Sequence, residues 1–183
     1  GTLAAIGGTG LTIAQEDDSE EEEEEAESAE PVAAFDDVEG TDIDVLNYAL
    51  SLEHLENAFY REALDTFDED DFVESESLED YDEEVQTAVY GYLETIGQHE
   101  ATHVEVLSQA IELLGGTPVE EAEYDFGLET ADDVFVLGQV LENTGVAAYQ
   151  GAAPFVESPD LLSAALSIHS VEARHAALLN EVT

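Results

Sequence analysis

From Thr41 to Thr183 the chain consists of four long stretches with helical spacing of apolar residues, and each carries a glutamate inside its apolar stripe. The stretches are punctuated by helix-boundary chemistry. Thr41 and Asp42 can cap the first, which runs through "DVLNYALSLEHLENAFYREAL" and ends near Asp65. The second runs from about Asp82 and stops at Gly115-Gly116, a C-terminal signal. The third covers "ADDVFVLGQVLENTGVAAYQGAA" until about Pro154, and Ser158-Pro159 opens the fourth with proline in the first turn, where its missing N–H costs little. The acidic segment 66–80 is expected to be a loop. Residues 117–130, with Pro118 and Gly127, form the longest connection between the later helices. No stretch alternates with period two between turn signals, so the chain is predicted to be an all-α helical bundle. A helix of about 24 residues is roughly 36 Å long, enough to enclose a site at mid-height.

The glutamates follow a repeat. In the second helix Glu100 is followed three residues later by His103, and in the fourth Glu172 by His175; residues at i and i+3 share a face. The first and third helices supply Glu53 in "SLEHLENAFY" and Glu142 in "VLENTGVAAY". Each of these follows a leucine and precedes a tyrosine by seven residues, Tyr60 and Tyr149, two turns along the same face. The chain thus reads as two halves, each an E…Y helix followed by an ExxH helix. One ExxH in an acidic protein is a weak signal; two, each preceded by the same Glu-to-Tyr spacing, make a much stronger one.

Four carboxylates in an apolar bundle need cationic partners, because an unpaired buried charge is costly. Together with two imidazoles they offer an oxygen and nitrogen site for two divalent ions. With no thiolate in the set, two iron or two manganese ions fit better than a structural zinc. Glu56, one turn from Glu53, is the main rival for its place, and the repeat with Glu142 favours Glu53. Tyr60 and Tyr149 can hydrogen-bond the ligand carboxylates or relay electrons; ordinary core tyrosines with satisfied hydroxyls are the other reading. His99 sits about 100° of helix off the face of Glu100 and His103, which places it beside the site or at the surface. His54 and His169 are not expected to be ligands. Arg61 and Arg174 lie on helices that carry the glutamates and are expected to form exposed ion pairs of little worth.

These segments resemble the ferritin-like di-metal carboxylate superfamily: one Glu, an ExxH, one Glu and a second ExxH, over about residues 41–181. The nearest resemblance is to the ferritin-like domain family that includes desiccation-related proteins, where "LNYALSLEHLENAFY" is a typical first helix. The resemblance implies a ferritin-like four-helix bundle with a long crossover between helices two and three. It implies Glu53 and Glu142 as terminal ligands, Glu100 and Glu172 as bridging ones, and His103 and His175 as nitrogen ligands. The activities it implies are those of a di-iron or di-manganese oxidase, peroxidase or catalase-like oxidoreductase acting on O2 or peroxide, in a stress-protective role. Without cysteine, a rubredoxin module of the rubrerythrin type has no ligands; without methionine, the haem ligand of bacterioferritin is missing.

Two other functions stay open at this point. Residues 99–103 read His-Glu-Ala-Thr-His, the HExxH of zinc metallopeptidases, with His99 and His103 as ligands, Glu100 as base and Glu120 or Glu121 as a third ligand. That reading leaves Glu53, Glu142 and the second ExxH without a role. A structural bundle without catalytic metal is the other, since helical glutamates are common in so acidic a chain. Against it, Glu53, Glu142 and Glu172 lie inside apolar runs.

The charge balance bounds the surroundings. Lys+Arg is 2 against Asp+Glu 47, a formal net charge of −45. Such a surface repels nucleic-acid phosphates and anionic headgroups, so neither nucleic acid nor insertion of the bundle in a membrane is expected. It also repels itself. The Debye length falls from about 10 Å at 0.1 M salt to about 3 Å at 1 M, and the composition resembles that of proteins from extreme halophiles. Residues 1–15, "GTLAAIGGTGLTIAQ", read as a signal-peptide remnant or leader with a small-residue cleavage candidate before Gln15. The expectation is export to the cell surface or medium, with a likeness to twin-arginine signals; a flexible cytoplasmic leader is the alternative. Residues 16–40 read as an acidic disordered linker. A homodimer is the assembly left open.

Overall fold

The computed structural model describes residues 41–183. The expected leader at 1–15 and acidic linker at 16–40 lie outside the described residues.

Four major helices form, each started by a side-chain cap. Helix α1 spans Asp42–Thr66, with Thr41 and Asp44 satisfying each other's backbone amides in a capping box. Helix α3 spans Glu83–Leu113 behind Asp82. Helix α4 spans Ala131–Ala152 behind a second capping box, Thr130 with Asp133. Helix α5 spans Pro159–Val182, with Ser158 accepting from the Leu161 amide and Pro159 at the first helical position. The α3 end is the one the two glycines predict. Gly115 has φ +82°, and the Gly116 amide donates back to Ile111 O at 2.9 Å.

The expected loop at 66–80 is not wholly irregular. It contains a short helix, α2, at Glu69–Val73 and a 3₁₀ turn at Glu76–Leu78. The Asp68 side chain accepts from the amides of Asp70 and Asp71, which starts α2. Phe72 and Leu78 are fully buried and close one end of the bundle. The density of acids hid these two anchors. Asp132 at the α4 start accepts from the amides of Glu76 and Ser77, tying this segment to the second half of the chain.

The halves pack as helix pairs, α1 on α3 and α4 on α5, with α1 also against α4. The connection from 115 to 130 runs back along α1. Asn47 bonds Thr117 O and the Val119 amide, His54 Nε2 approaches Val119 O at 3.1 Å, and Arg61 pairs with Glu121 at 2.7 Å. This crossover returns the chain to the end of α1 where α3 began, so α4 can start there and run parallel to α3. The architecture is therefore an all-α ferritin-like bundle with its long connection between α3 and α4.

The core is split in two along the bundle. One apolar cluster holds Phe59, Tyr60, Phe72, Leu93, Phe135 and Leu179; the other holds Leu46, Leu50, Leu107, Ile111 and Ile168 with Tyr149. Between them along every long helix lie the buried acids. On α1 the order is Leu50, Glu53, Glu56, Phe59; on α3 it is Ile96, Glu100, His103, Leu107. Two dry layers thus close off a polar one. Among the described residues no helix is long and apolar enough to cross a membrane.

Candidate metal centre

The structure brings all six predicted ligand residues into that polar layer. Glu53, Glu100, Glu142 and Glu172 are 0 % exposed, with His103 and His175 nearly as buried. Their donor atoms form two groups, each mutually within 4.8 Å: Glu53, Glu100, His103 and Glu172 in one, Glu100, Glu142, Glu172 and His175 in the other. The groups share Glu100 and Glu172. One is thus closed by a carboxylate from α1 and an imidazole from α3, the other by a carboxylate from α4 and an imidazole from α5.

Both histidines turn Nδ1 inward. His103 Nδ1 stands 3.0 Å from Glu53 Oε2, 3.2 Å from Glu100 Oε2 and 3.0 Å from Glu172 Oε1. His175 Nδ1 stands 3.0 Å from Glu100 Oε1 and 3.3 Å from Glu142 Oε2. One ring nitrogen carries at most one proton, so it cannot serve three carboxylates. Several of these approaches also lack hydrogen-bond alignment: Glu100 Oε1, Glu142 Oε2, both oxygens of Glu172 and His175 Nδ1 are buried without a hydrogen-bond partner. Orphaned buried oxygens and a nitrogen lone pair converging in one layer are a poor fit to internal hydrogen bonding and a good fit to cations. The residues present therefore suit two divalent ions.

The electrostatics agree. Burial raises Glu53 to about 7 against the hydrogen bond from His103, and raises Glu172 to about 9. Burial would raise Glu100 as well, yet the imidazoles of His103 and His175 beside its two oxygens carry it down to about 2. Against burial, which favours the neutral ring, the carboxylates hold His103 up to about 12 and His175 up to about 9. In the absence of cations the layer must hold protons to exist.

The tyrosines hold the outer carboxylates. Tyr60 donates to Glu142 Oε1 at 2.6 Å and Tyr149 donates to Glu53 Oε1. Both hydroxyls thus end on carboxylates of the polar layer. Glu56, the rival of Glu53, is 2 % exposed but belongs to neither group. Its Oε1 lies beside Gly145 on α4.

His99 is absent from both groups and contacts His175 instead. The rings lie nearly coplanar, with centroids 5.2 Å apart and an interplanar angle of 11°, and they meet edge to edge, His99 Nδ1 being 2.9 Å from His175 Nε2. In the tautomer where His175 Nε2–H donates to His99, the His175 Nδ1 lone pair is left for a cation. The sequence carries no sign of this contact, because it joins helices 76 residues apart. The peptidase arrangement, with His99 and His103 on one metal, is not formed, and its possible third ligand Glu121 is paired with Arg61. His54 and His169 stand outside both groups.

Comparison with known proteins gives a match of residues 41–183 to the ferritin-like domain family. Among solved structures, the chain is similar to a conserved hypothetical protein of Mycobacterium tuberculosis, rv2844. The two share 19 % identity over 80 % of this chain and 100 % of that one, with a TM-score of 0.56. At that identity the likeness concerns the fold. No curated protein matches the chain.

Proposed function

We propose, from the premise that the chain belongs to the ferritin-like domain family, that its buried layer binds two iron or two manganese ions and that the loaded protein oxidises or detoxifies O2 or peroxide. The observation that carries this reading is the pair of ligand groups sharing Glu100 and Glu172. A shared carboxylate offers one oxygen to each side, as a two-metal site needs.

When bound, two such ions would supply redox equivalents and open positions for a small oxidant. The chain's own part is to place and insulate them. Glu53 and His103 close one side, Glu142 and His175 the other, and Glu100 and Glu172 link the two. The Tyr149 and Tyr60 hydroxyls keep the outer carboxylates from swinging away. The apolar layers above and below exclude water, which strengthens each charge interaction inside. His175 and His99 also line a cleft between α3 and α5 with Tyr92, Thr95, Ile96 and Arg174, and this cleft reaches from solvent to a ligand of the second group. A molecule as small as O2 or peroxide fits that approach.

The acidic composition supports a setting of concentrated salt, the resemblance to desiccation-related members supports a stress-protective role, and the signal-like sequence of residues 1–15 supports export. The test is elemental analysis of protein purified in concentrated salt without chelators, followed by peroxide consumption by the loaded form. About two iron or manganese per chain and measurable turnover would support the proposal. Metal without turnover would leave a binding protein. A single ion per chain would contradict the two-metal reading, and no metal after reconstitution would leave a structural bundle.

A further inference from the structure

Among the described residues, Glu56 is the one buried carboxylate that the two ligand groups leave out. It follows Glu53 by one turn on α1 and is 2 % exposed, and its Oε2 has no hydrogen-bond partner. A buried carboxylate oxygen without a donor or cation carries an uncompensated desolvation cost. Its surroundings worsen the cost, since Glu172, Glu142, Glu53 and Glu100 all press on its charge, Glu172 most.

The fold nevertheless makes room for it. Gly145 follows Glu142 by one turn on α4, and a Cβ there would meet Glu56 Oε1 at 2.9 Å and Glu172 Oε2 at 3.3 Å. The missing side chain of Gly145 is therefore a notch in the α4 wall, filled by one oxygen from α1 and one from α5. Glu172 turns its other oxygen, Oε1, to within 3.0 Å of His103. Its Oε2 thus faces away from the His103 side, and it is this oxygen that shares the notch with Glu56. An alanine in the notch would displace the two oxygens, and an apolar residue at 56 would fill the space without the charge.

We propose that Glu56 is a fifth carboxylate ligand of the centre, serving the ion held by Glu142, Glu172 and His175. This rests on the two-metal reading above and deepens it. The centre is then unequal: the ion on the Glu53 and His103 side has four protein residues, while its neighbour has five. A fifth oxygen ligand raises the negative charge and coordination number at one ion, which favours a hard, higher-coordinate cation there.

The experiment is a titration of the metal-free full chain with Co(II) in concentrated salt, followed by visible absorption and by equilibrium dialysis. It compares the natural protein with Glu56→Leu, which cannot ligate, and with Glu56→Gln, which keeps the shape. Far-UV circular dichroism checks that each is folded, which is expected because replacing a buried charge by an apolar or neutral residue is tolerated well. The expected result is two Co(II) in the natural protein. In Glu56→Leu one of the two binds about tenfold or more weakly, and the visible absorption per Co(II) rises because one ion has lost a ligand. Glu56→Gln should fall between the two. A merely structural acid would leave the spectrum unchanged, so identical spectra and stoichiometry in all three proteins would overturn the inference while leaving the two-metal reading intact. A natural protein that takes up no Co(II) would overturn both.

Discussion

Tyr60 on α1 donates its hydroxyl to Glu142 on α4, 82 residues away, at 2.6 Å. The relationship is reciprocal, because Tyr149 on α4 donates to Glu53 on α1. The tyrosine that follows each glutamate by seven residues therefore serves the glutamate of the other half. Two antiparallel helices explain the exchange: moving two turns down one helix brings a residue level with a different point on its neighbour. The repeat in the sequence is thus also a lock between the halves.

Removing one hydroxyl should weaken that lock without touching the ligands themselves. In the metal-free protein Tyr60→Phe leaves Glu142 Oε1 without its donor, which should cost about 1–3 kcal/mol. In the loaded protein the loss of the supporting hydrogen bond should lower metal affinity by about 10- to 100-fold. Thermal melting and metal-competition titration measure the two effects, and Tyr149→Phe should do the same through Glu53. Unchanged affinity in both variants would make these tyrosines ordinary core residues.

Shared and unshared carboxylates should behave differently on deletion. Glu100→Ala and Glu172→Ala each remove a residue common to both ligand groups, so each should lose most of both metals. Glu53→Ala and Glu142→Ala each remove a residue from one group, so each should lose chiefly one metal. Metal counting on the four variants decides it. Full retention by both Glu100→Ala and Glu172→Ala would defeat the site assignment.

The features that could be read from the sequence are those that repeat along one helix. Caps at Thr41 and Ser158, the glycine stop after α3, and the spacing of Glu100 with His103 are local, so spacing alone places them. Contacts between helices left no such trace. Nothing near His99 marks its contact with His175, and "ENTGVAAY" does not say that Gly145 opens a notch for Glu56. Helix α2 was missed for a different reason: in 66–80 the acids are so dense that Phe72 and Leu78 showed no period, although each is fully buried.

The metal-free protein should lose stability as pH rises from about 5 to 9. Glu53 and Glu172 have folded values of about 7 and 9 against an ordinary 4.5, so the folded chain holds protons that the unfolded chain releases. Stability from such groups is complete below the unfolded value and is lost as pH climbs through the folded one. His103 and His175, raised from 6.5 to about 12 and about 9, act in the same direction. Glu100, lowered to about 2, acts oppositely, and only as pH falls below its ordinary value. Each differential proton changes stability by about 1.4 kcal/mol per pH unit. Cations that replace the protons should flatten the slope. Calorimetry at pH 5, 7 and 9 in fixed concentrated salt, with and without Mn(II), checks both statements; a metal-free melting temperature that rises with pH contradicts the first.

Salt should be needed for a reason separate from the centre. The chain carries a formal charge of −45 with only Arg61 and Arg174 as fixed cations. Arg61 is already engaged with Glu121. The helix starts are well served by acids, such as Asp42 and Asp44 on α1 and Asp132 and Asp133 on α4, but neither of these helices has a basic residue in its last turn. The same holds at the ends of α3 and α5. The negative ends of the helix dipoles are therefore left to cations from solution. Dialysis from concentrated salt to about 0.1 M lengthens the screening distance from about 3 Å to about 10 Å, and helix measured by circular dichroism should fall. Concentrated salt could also act by strengthening apolar burial, as excluded cosolutes do. Sucrose separates the two, because it is excluded from protein surfaces but screens nothing. Salt should restore the helix and sucrose of equal osmolality should not; equal restoration by both would place the salt requirement in the core rather than in the surface charge.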